Sequence, residues 1–449
     1  MSPFISPRLL GNKLLLVARL TLAILAIYLE WALPLGEKLF VPHFLAFLLV
    51  LTLIPQIRAW RRFSLAMLLM LGFCAFNLAT SAFGSVPLHD RFRSVIYFVY
   101  LFGIALIIGV TKIIGESPLD RRIAATMFLG SGFFLLAFAS VEQHTALYQI
   151  SDAFRSVAYK ETNADNEARD LELLQKVRPK AFAQETSFGA RGVSVLLLIG
   201  ALLSRGMLPR LAALGGIAAA IPIFGSPIPA AFAVGLLYGL WVPRWAQSPK
   251  ILPLYLGTIT AGAAVLLFIV AQFSVVVQRR LDLVRDGTDP STYMRTMFMM
   301  EMAGKAIAWN PISGVGLGGE EELSSDFVLP LLENVPTNTL INNALWSVPF
   351  FTGLVGSLAF LLLLLTLTWR VELRYRAVFF ATLLLILNCT GAIHSSSVWI
   401  VGAFLYSILR LPAAVRVPRK VVWARRVPAR RIAGELVAAS KTQPLLHGT

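Results

Sequence analysis

The chain has 449 residues, 57% of them hydrophobic and only 14% charged, with a formal net charge of +16. Soluble domains carry about 25% charged residues, so an ordinary water-soluble enzyme is excluded. Nucleic acid is not the reading of the positive balance either. The basic residues gather in short loops between apolar runs and in the C-terminal tail, as the positive-inside rule requires of a protein among anionic lipids.

Apolar stretches of about 20 residues, the length that crosses a bilayer, recur along the chain. They predict an all-α polytopic membrane protein with twelve transmembrane helices near 14–34, 39–55, 63–84, 93–113, 122–141, 188–204, 209–225, 228–243, 251–273, 345–368, 375–393 and 396–411. Arg8 and Lys13 precede the first run, which is long enough to span and has no clear small-x-small cleavage pattern behind it. It reads as a retained helix rather than a signal peptide. Cys74 and Cys389 lie inside apolar runs and read as packing residues.

Arginine and lysine set the orientation. Arg58, Arg61 and Arg62 fall in one loop, Lys112, Arg121 and Arg122 in the next of the same set, then Arg205 and Arg210, Arg244 and Lys250, and Arg370, Arg374 and Arg376. With twelve spans all of these lie on one side together with the tail, so both termini are expected in the cytoplasm of a bacterial inner membrane. Residues 1–411 form the membrane domain, and 412–449 read as a disordered basic tail at the membrane surface.

Two polar loops, 142–187 and 274–344, fall on the opposite side. Long loops in a compact domain are usually functional. Within the second, Asp289-Pro290 starts a predicted helix over 291–309, and Asn310-Pro311 stops it. The glycine-rich run 314–319 that follows lacks the strand and helix a phosphate-binding loop needs, so a flexible turn is expected.

The outer loops hold no Asp-x-Asp pair and no His/Cys cluster at metal spacing, so neither metal nor cofactor is expected. A phosphate would then be held by arginines, whose planar guanidinium matches its oxygens. Candidates are Arg178, Arg191, Arg279, Arg280, Arg285 and Arg295, all of which oppose the positive-inside trend. Arg191 sits just inside a span, where a charge usually faces a protein cavity, although snorkelling to the headgroups would also place it there. Glu185, at the mouth of the same span between Arg178 and Arg191, suits a general base, with an ordinary salt bridge as the alternative. Asp286, Asp289 and Glu301 are further carboxylates, and His394 at the end of the eleventh span is a reserve base.

Ser291-Thr-Tyr-Met-Arg295, a helix, and Asn310-Pro-Ile-Ser-Gly-Val-Gly-Leu-Gly318 together resemble the O-antigen ligase and polymerase superfamily. Arg178-Pro-Lys-Ala-Phe-Ala-Gln-Glu-Thr-Ser187 is similar to the Arg…Phe-x-Glu-Pro-Ser pattern of its polysaccharide polymerases, with Thr186 in place of proline. The family's His-Asn pair is followed by glycines eleven and fourteen residues after the histidine. Asn342-Asn343 with Gly353 and Gly356 keeps that spacing, so Asn342 stands at the histidine position.

The resemblance implies a metal-independent glycosyltransferase. Its donor would be a glycan on undecaprenyl pyrophosphate, its second substrate a glycan acceptor at the periplasmic face, with membrane lipids around it and a chain-length regulator as a possible partner. Arg295, with Arg191 or Arg178 and the nearby Arg280, would hold the pyrophosphate. An asparagine cannot accept a proton at neutral pH, so Asn342 favours a polymerase with Glu185 as base over a ligase that joins glycan to lipid A-core. The other class open to such a chain is a lipid-linked glycan flippase. Carriers tend to show internal repeats and charged or broken helices at the midplane, and the sequence displays neither.

Overall fold

The structure is a computed structural model. It describes residues 7–29, 41–54, 88–115, 117–142, 146–158, 177–183, 185–241, 297–319, 343–372, 375–389 and 396–410, with a few isolated positions between them. The predicted spans 63–84 and 251–273 and the tail 412–449 lie outside the described residues, apart from Gly72, Ala75, Ala79, Gly257, Ala261 and Gly262.

Among the described residues the regular structure is helical: α1 (Pro7–Tyr28), α2 (Val41–Leu53), α3 (Leu88–Val110), α4 (Pro118–Glu142), α5 (Leu147–Ala158), α6 (Thr186–Leu203), α7 (Met207–Phe224), α8 (Ile228–Trp241), α9 (Met297–Trp309), α10 (Ala344–Arg370), α11 (Arg376–Cys389) and α12 (Ser396–Leu409). These twelve are not the twelve predicted spans. Helices α5 and α9 fall in the segments read as outer loops, and ten of the predicted spans have a helical counterpart. Five helices, α1, α4, α6, α7 and α10, are long and apolar enough to cross a membrane; α2, α3, α8, α11 and α12 contribute shorter apolar stretches. By length and composition this is an all-helical membrane protein.

Helix α6 is the centre. Apart from Thr186, Ser187, Arg191 and Ser194 it is apolar, and almost every residue is buried, as expected of a helix surrounded by others. Small residues set how closely its neighbours approach. A Cβ on Gly132 of α4 would meet Leu197 of α6 at 2.7 Å, and one on Gly200 of α6 would meet Leu129 of α4 at the same distance. These two notches are reciprocal, so α4 and α6 run antiparallel in close contact. On the outside, α10 shows Leu354, Leu358, Leu361, Leu365 and Trp369 exposed along one face. A stripe of that kind faces lipid rather than water.

Contacts at the helix ends sort the loops into two sets. Lys13 of α1 pairs with Asp120 at the start of α4. The Ser407 hydroxyl of α12 donates to the Thr111 carbonyl beyond α3 at 2.8 Å, and Glu372 N beyond α10 donates to Leu409 O of α12 at 3.1 Å. The starts of α1, α4, α7 and α11 and the ends of α3, α6, α10 and α12 therefore share one end of the bundle. That end carries Lys112, Arg121, Arg122, Arg205, Arg210, Arg370, Arg376 and Arg410. The ends of α1, α4, α7 and α11, with the starts of α6 and α10, make up the opposite end.

Candidate functional site

The opposite end is organised around residues 177–183, the described part of the polar loop 142–187 next to α6, and these residues are mostly buried. Glu142 is the last residue of α4 and is fully buried. Arg178 and Lys180 are buried as well, Lys180 with 1% of its surface exposed. Hydrogen bonds from several elements converge on this segment. Glu142 Oε2 accepts the backbone N–H groups of Lys180 (3.1 Å) and Ala181 (2.8 Å). The Tyr28 hydroxyl at the end of α1 donates to Ala181 O at 2.6 Å, and Phe182 N donates to the Ser151 hydroxyl of α5 at 3.2 Å. Arg178 Nη1 donates to Gly225 O, just past α7, at 3.5 Å.

The turn so held is left-handed at two successive non-glycine residues, Ala181 (φ 48°) and Phe182 (φ 69°). Each such residue costs about 1–3 kcal/mol and persists only where its surroundings over-determine it. Phe182 is further fixed by stacking on Phe138 of α4, centroids 4.4 Å apart, and by an edge contact with Phe154 of α5. Gly189 of α6 lies beneath the turn, and a Cβ there would meet Lys180 O at 2.9 Å. Tyr28 lies on Gly192, where a Cβ would meet its ring at 2.6 Å.

Arg178 belongs to the turn. Arg191 is buried on α6 with its guanidinium 4.9 Å from the centroid of the Phe188 ring. Two residues beyond Gly189 is about 200° around a helix of 3.6 residues per turn, so Arg191 leaves α6 from the face turned away from the 180–183 turn. Glu185 is the N-cap residue of α6, partly exposed, and its Oε2 accepts the Ser187 hydroxyl at 3.1 Å. Arg280, Arg295, Asn342 and His394 lie outside the described residues.

Asn343, next to the histidine-position Asn342, is described and fully buried. Its Oδ1 accepts Leu345 N (2.9 Å) and Trp346 N (3.2 Å), capping α10, while its amide donates to Asn388 Oδ1 of α11 at 2.6 Å. The asparagine of the pair thus anchors the start of one helix to the end of another.

The glycine-rich run does form a turn, and residues 314–319 of it are buried. Helix α10 contains Pro349 and breaks at Gly353 (φ 60°, ψ −160°). The backbone groups this frees are taken up by the turn. Val315 N donates to Phe350 O at 3.0 Å, Gly316 N to Phe351 O at 2.9 Å, and Leu354 N to Pro311 O at 2.9 Å. Gly314, Gly316 and Gly318 all adopt positive φ. A Cβ on Gly353 would lie 2.5 Å from Ile312 O, and one on Gly314 would overlap Phe350 O. The Asn-Pro-x-x-Gly-x-Gly-x-Gly run and Gly353 therefore form one structural unit, a turn docked into a broken helix. The break also corrects the expectation that no broken helix is present.

Glu142, Lys180, Tyr28 and Ser151 were missed by sequence reasoning. A signal existed for two of them. Glu142 is an acid closing an otherwise apolar run, and Lys180 opposes the positive-inside trend as the outer arginines do. Nothing local marks Tyr28 or Ser151.

No family model, no curated protein and no solved structure matches the chain.

Proposed function

We propose that the chain is a multi-pass inner-membrane glycosyltransferase that polymerises or transfers glycan units carried on undecaprenyl pyrophosphate at the periplasmic face, without a metal. In this reading the basic end is cytoplasmic, with both termini, and the opposite end is periplasmic. The observation that carries it is the pair of buried cations Arg178 and Lys180 at that opposite end. Cations at that end run against the charge rule, and charges held among membrane helices usually mark a site. A pyrophosphate on a lipid anchor approaching between apolar helices is an anion that guanidinium and ammonium groups suit, and Arg191, Arg280 and Arg295 are further arginines for it.

In the reaction the acceptor hydroxyl oxygen bonds to the anomeric carbon of the donor. The bond from that carbon to the pyrophosphate oxygen breaks, undecaprenyl pyrophosphate leaves, and the hydroxyl proton passes to Glu185. The Ser187 hydroxyl on Glu185 keeps one carboxylate oxygen oriented at the N-terminus of α6. A positioned base contributes about two to four decades in rate.

The break in α10 is the feature that would favour a carrier, because carriers coordinate substrate with the backbone of discontinuous helices. Here Phe350 O, Phe351 O and Leu354 N are already bonded by the turn at 311–316. That supports transfer over transport.

The test is elongation of lipid-linked repeat units by the purified protein in liposomes. Wild type should lengthen the glycan. Glu185→Gln should abolish elongation while donor still binds, whereas His394→Ala and Asn342→Ala should do much less damage. Arg295→Ala should lose about one to two decades, the worth of about 1.5–3 kcal/mol from a charged hydrogen bond felt in the transition state. Normal elongation by Glu185→Gln with a dead Asn342→Ala would place the chemistry at the ligase position and overturn the Glu185 mechanism.

A further inference from the structure

We infer that Glu142 is a positioning residue for phosphate binding: its carboxylate fixes the left-handed turn that carries Arg178 and Lys180, and so sets where those two cations meet the anionic head of a polyprenyl pyrophosphate. The inference rests on the proposed reading of this end as a pyrophosphate site.

The case begins with where the carboxylate stands. Glu142 closes an apolar helix and is fully buried. One oxygen, Oε2, takes two successive backbone N–H groups, Lys180 and Ala181. The other, Oε1, is buried without a hydrogen-bond partner. A buried acid with one unsatisfied oxygen is a poor choice for stability alone, and such groups in native proteins call for another explanation.

What the acid achieves is local. It spans 38 residues of sequence to Lys180 and, with Tyr28 on Ala181 O, holds the turn from both sides. Residues 181 and 182 adopt conformations that L side chains rarely take. Released from Glu142, the turn relaxes toward ordinary φ values, and the flanking Arg178 and Lys180 move with it. The Cβ atoms of those residues are then displaced even though no cation is removed. Because Lys180 N and Ala181 N are occupied by Glu142, an incoming phosphate is met by side chains rather than by the backbone.

The experiment measures retention of lipid probes by the purified full chain in phosphatidylcholine nanodiscs, using undecaprenyl pyrophosphate, undecaprenol and, separately, phosphatidylglycerol. Wild type should prefer undecaprenyl pyrophosphate over both others. Glu142→Leu should lose at least tenfold in that affinity. Glu142→Gln, whose amide oxygen can still accept both N–H groups, should lose about threefold or less. In turnover assays the loss should appear in KM for the lipid-linked donor, with kcat within about twofold, a split that general loosening of the fold would not give. Melting temperature is recorded for each variant. If Glu142→Leu does not fold, Tyr28→Phe takes its place, because it releases the same turn from the other side and should weaken binding about threefold.

Undiminished pyrophosphate affinity in Glu142→Leu, or in Tyr28→Phe where that variant stands in, would overturn the inference. So would a wild type that shows no preference for the pyrophosphate, or that holds phosphatidylglycerol equally well, since the cations would then serve ordinary headgroups. A wild type that binds undecaprenyl pyrophosphate through Glu142 but transfers no glycan would refute the transferase reading and leave this inference standing.

Discussion

The two ends of the helix bundle use charge in opposite ways. At the basic end, cationic side chains lie at the surface and cover the carbonyls that helix termini leave open. Arg410 Nη1 donates to Gly109 O (3.0 Å) and Val110 O (2.8 Å), Arg376 donates to Val371 O and Trp369 O while stacking on the Trp369 ring, and Arg210 Nε donates to Ser204 O. Helix C-termini carry partial negative charge, so the arrangement is favourable locally and needs no burial. At the opposite end the charges are withdrawn from solvent, and the backbone is irregular where it holds them: a left-handed turn at 181–182 and a broken helix at 353. One end satisfies its helices; the other spends conformational strain on a particular geometry. That asymmetry is the physical reason to look for function at the second end.

The largest effect expected from breaking this contrast is at Gly353. Its backbone lies in a region that only glycine occupies without strain, and a Cβ would meet Ile312 O at 2.5 Å. Gly353→Ala forces the docked turn off α10 and exposes Phe350 O, Phe351 O and Leu354 N inside the protein, each worth about 1–3 kcal/mol when left unsatisfied. Loss of folded protein is expected, read as a collapse of the monodisperse peak in detergent. A variant with wild-type yield and melting temperature would show that the turn and the helix break are independent.

Next comes Asn343. Asn343→Ala removes the cap of α10 and the bond to Asn388 together. A lost cap costs about 0.5–2 kcal/mol, and the abandoned Asn388 amide adds to that. The melting temperature should fall by several degrees. Asn388→Ala alone should fall less, since the cap to Leu345 N and Trp346 N remains.

The sequence is informative about one end and opaque about the other for the same physical reason. Positive-inside charges and apolar run lengths are local quantities, so the arginines from Arg121 to Arg410 and the ten spans with helical counterparts could be read along the chain. The end of the helix predicted over 291–309 was also legible, through Asn310-Pro311, where α9 stops; its predicted start at Asp289-Pro290 lies outside the described residues. The opposite end depends on pairings across the chain. Tyr28 meets Ala181, 153 residues away, and Gly314 packs on Phe350 and Gly353. Spacing along the sequence encodes none of these. The glycine run could be read as a turn, but not that its glycines allow close approach to α10.

The smallest effect belongs to the basic end, and it sharpens the contrast because it tests a charge pair that is not part of any strained geometry. Lys13 and Asp120 join the starts of α1 and α4, with 26% and 16% of their side chains exposed. Pairs open to water are worth about 0–1 kcal/mol and weaken with salt. Asp120→Asn is the cleaner half of the test, because acids contribute little to membrane orientation whereas removing Lys13 also alters the positive charge near α1. A double-mutant cycle over Asp120→Asn and Lys13→Met should give a coupling of about 0.5 kcal/mol at low salt. At 1 M salt, where the screening length shrinks to about 3 Å, that coupling should fall toward zero. In the elongation assay that tests the proposed function, Asp120→Asn should behave as wild type. A coupling above about 2 kcal/mol that survives high salt would mean the basic end also holds its charges out of water, and the division between the two ends would fail.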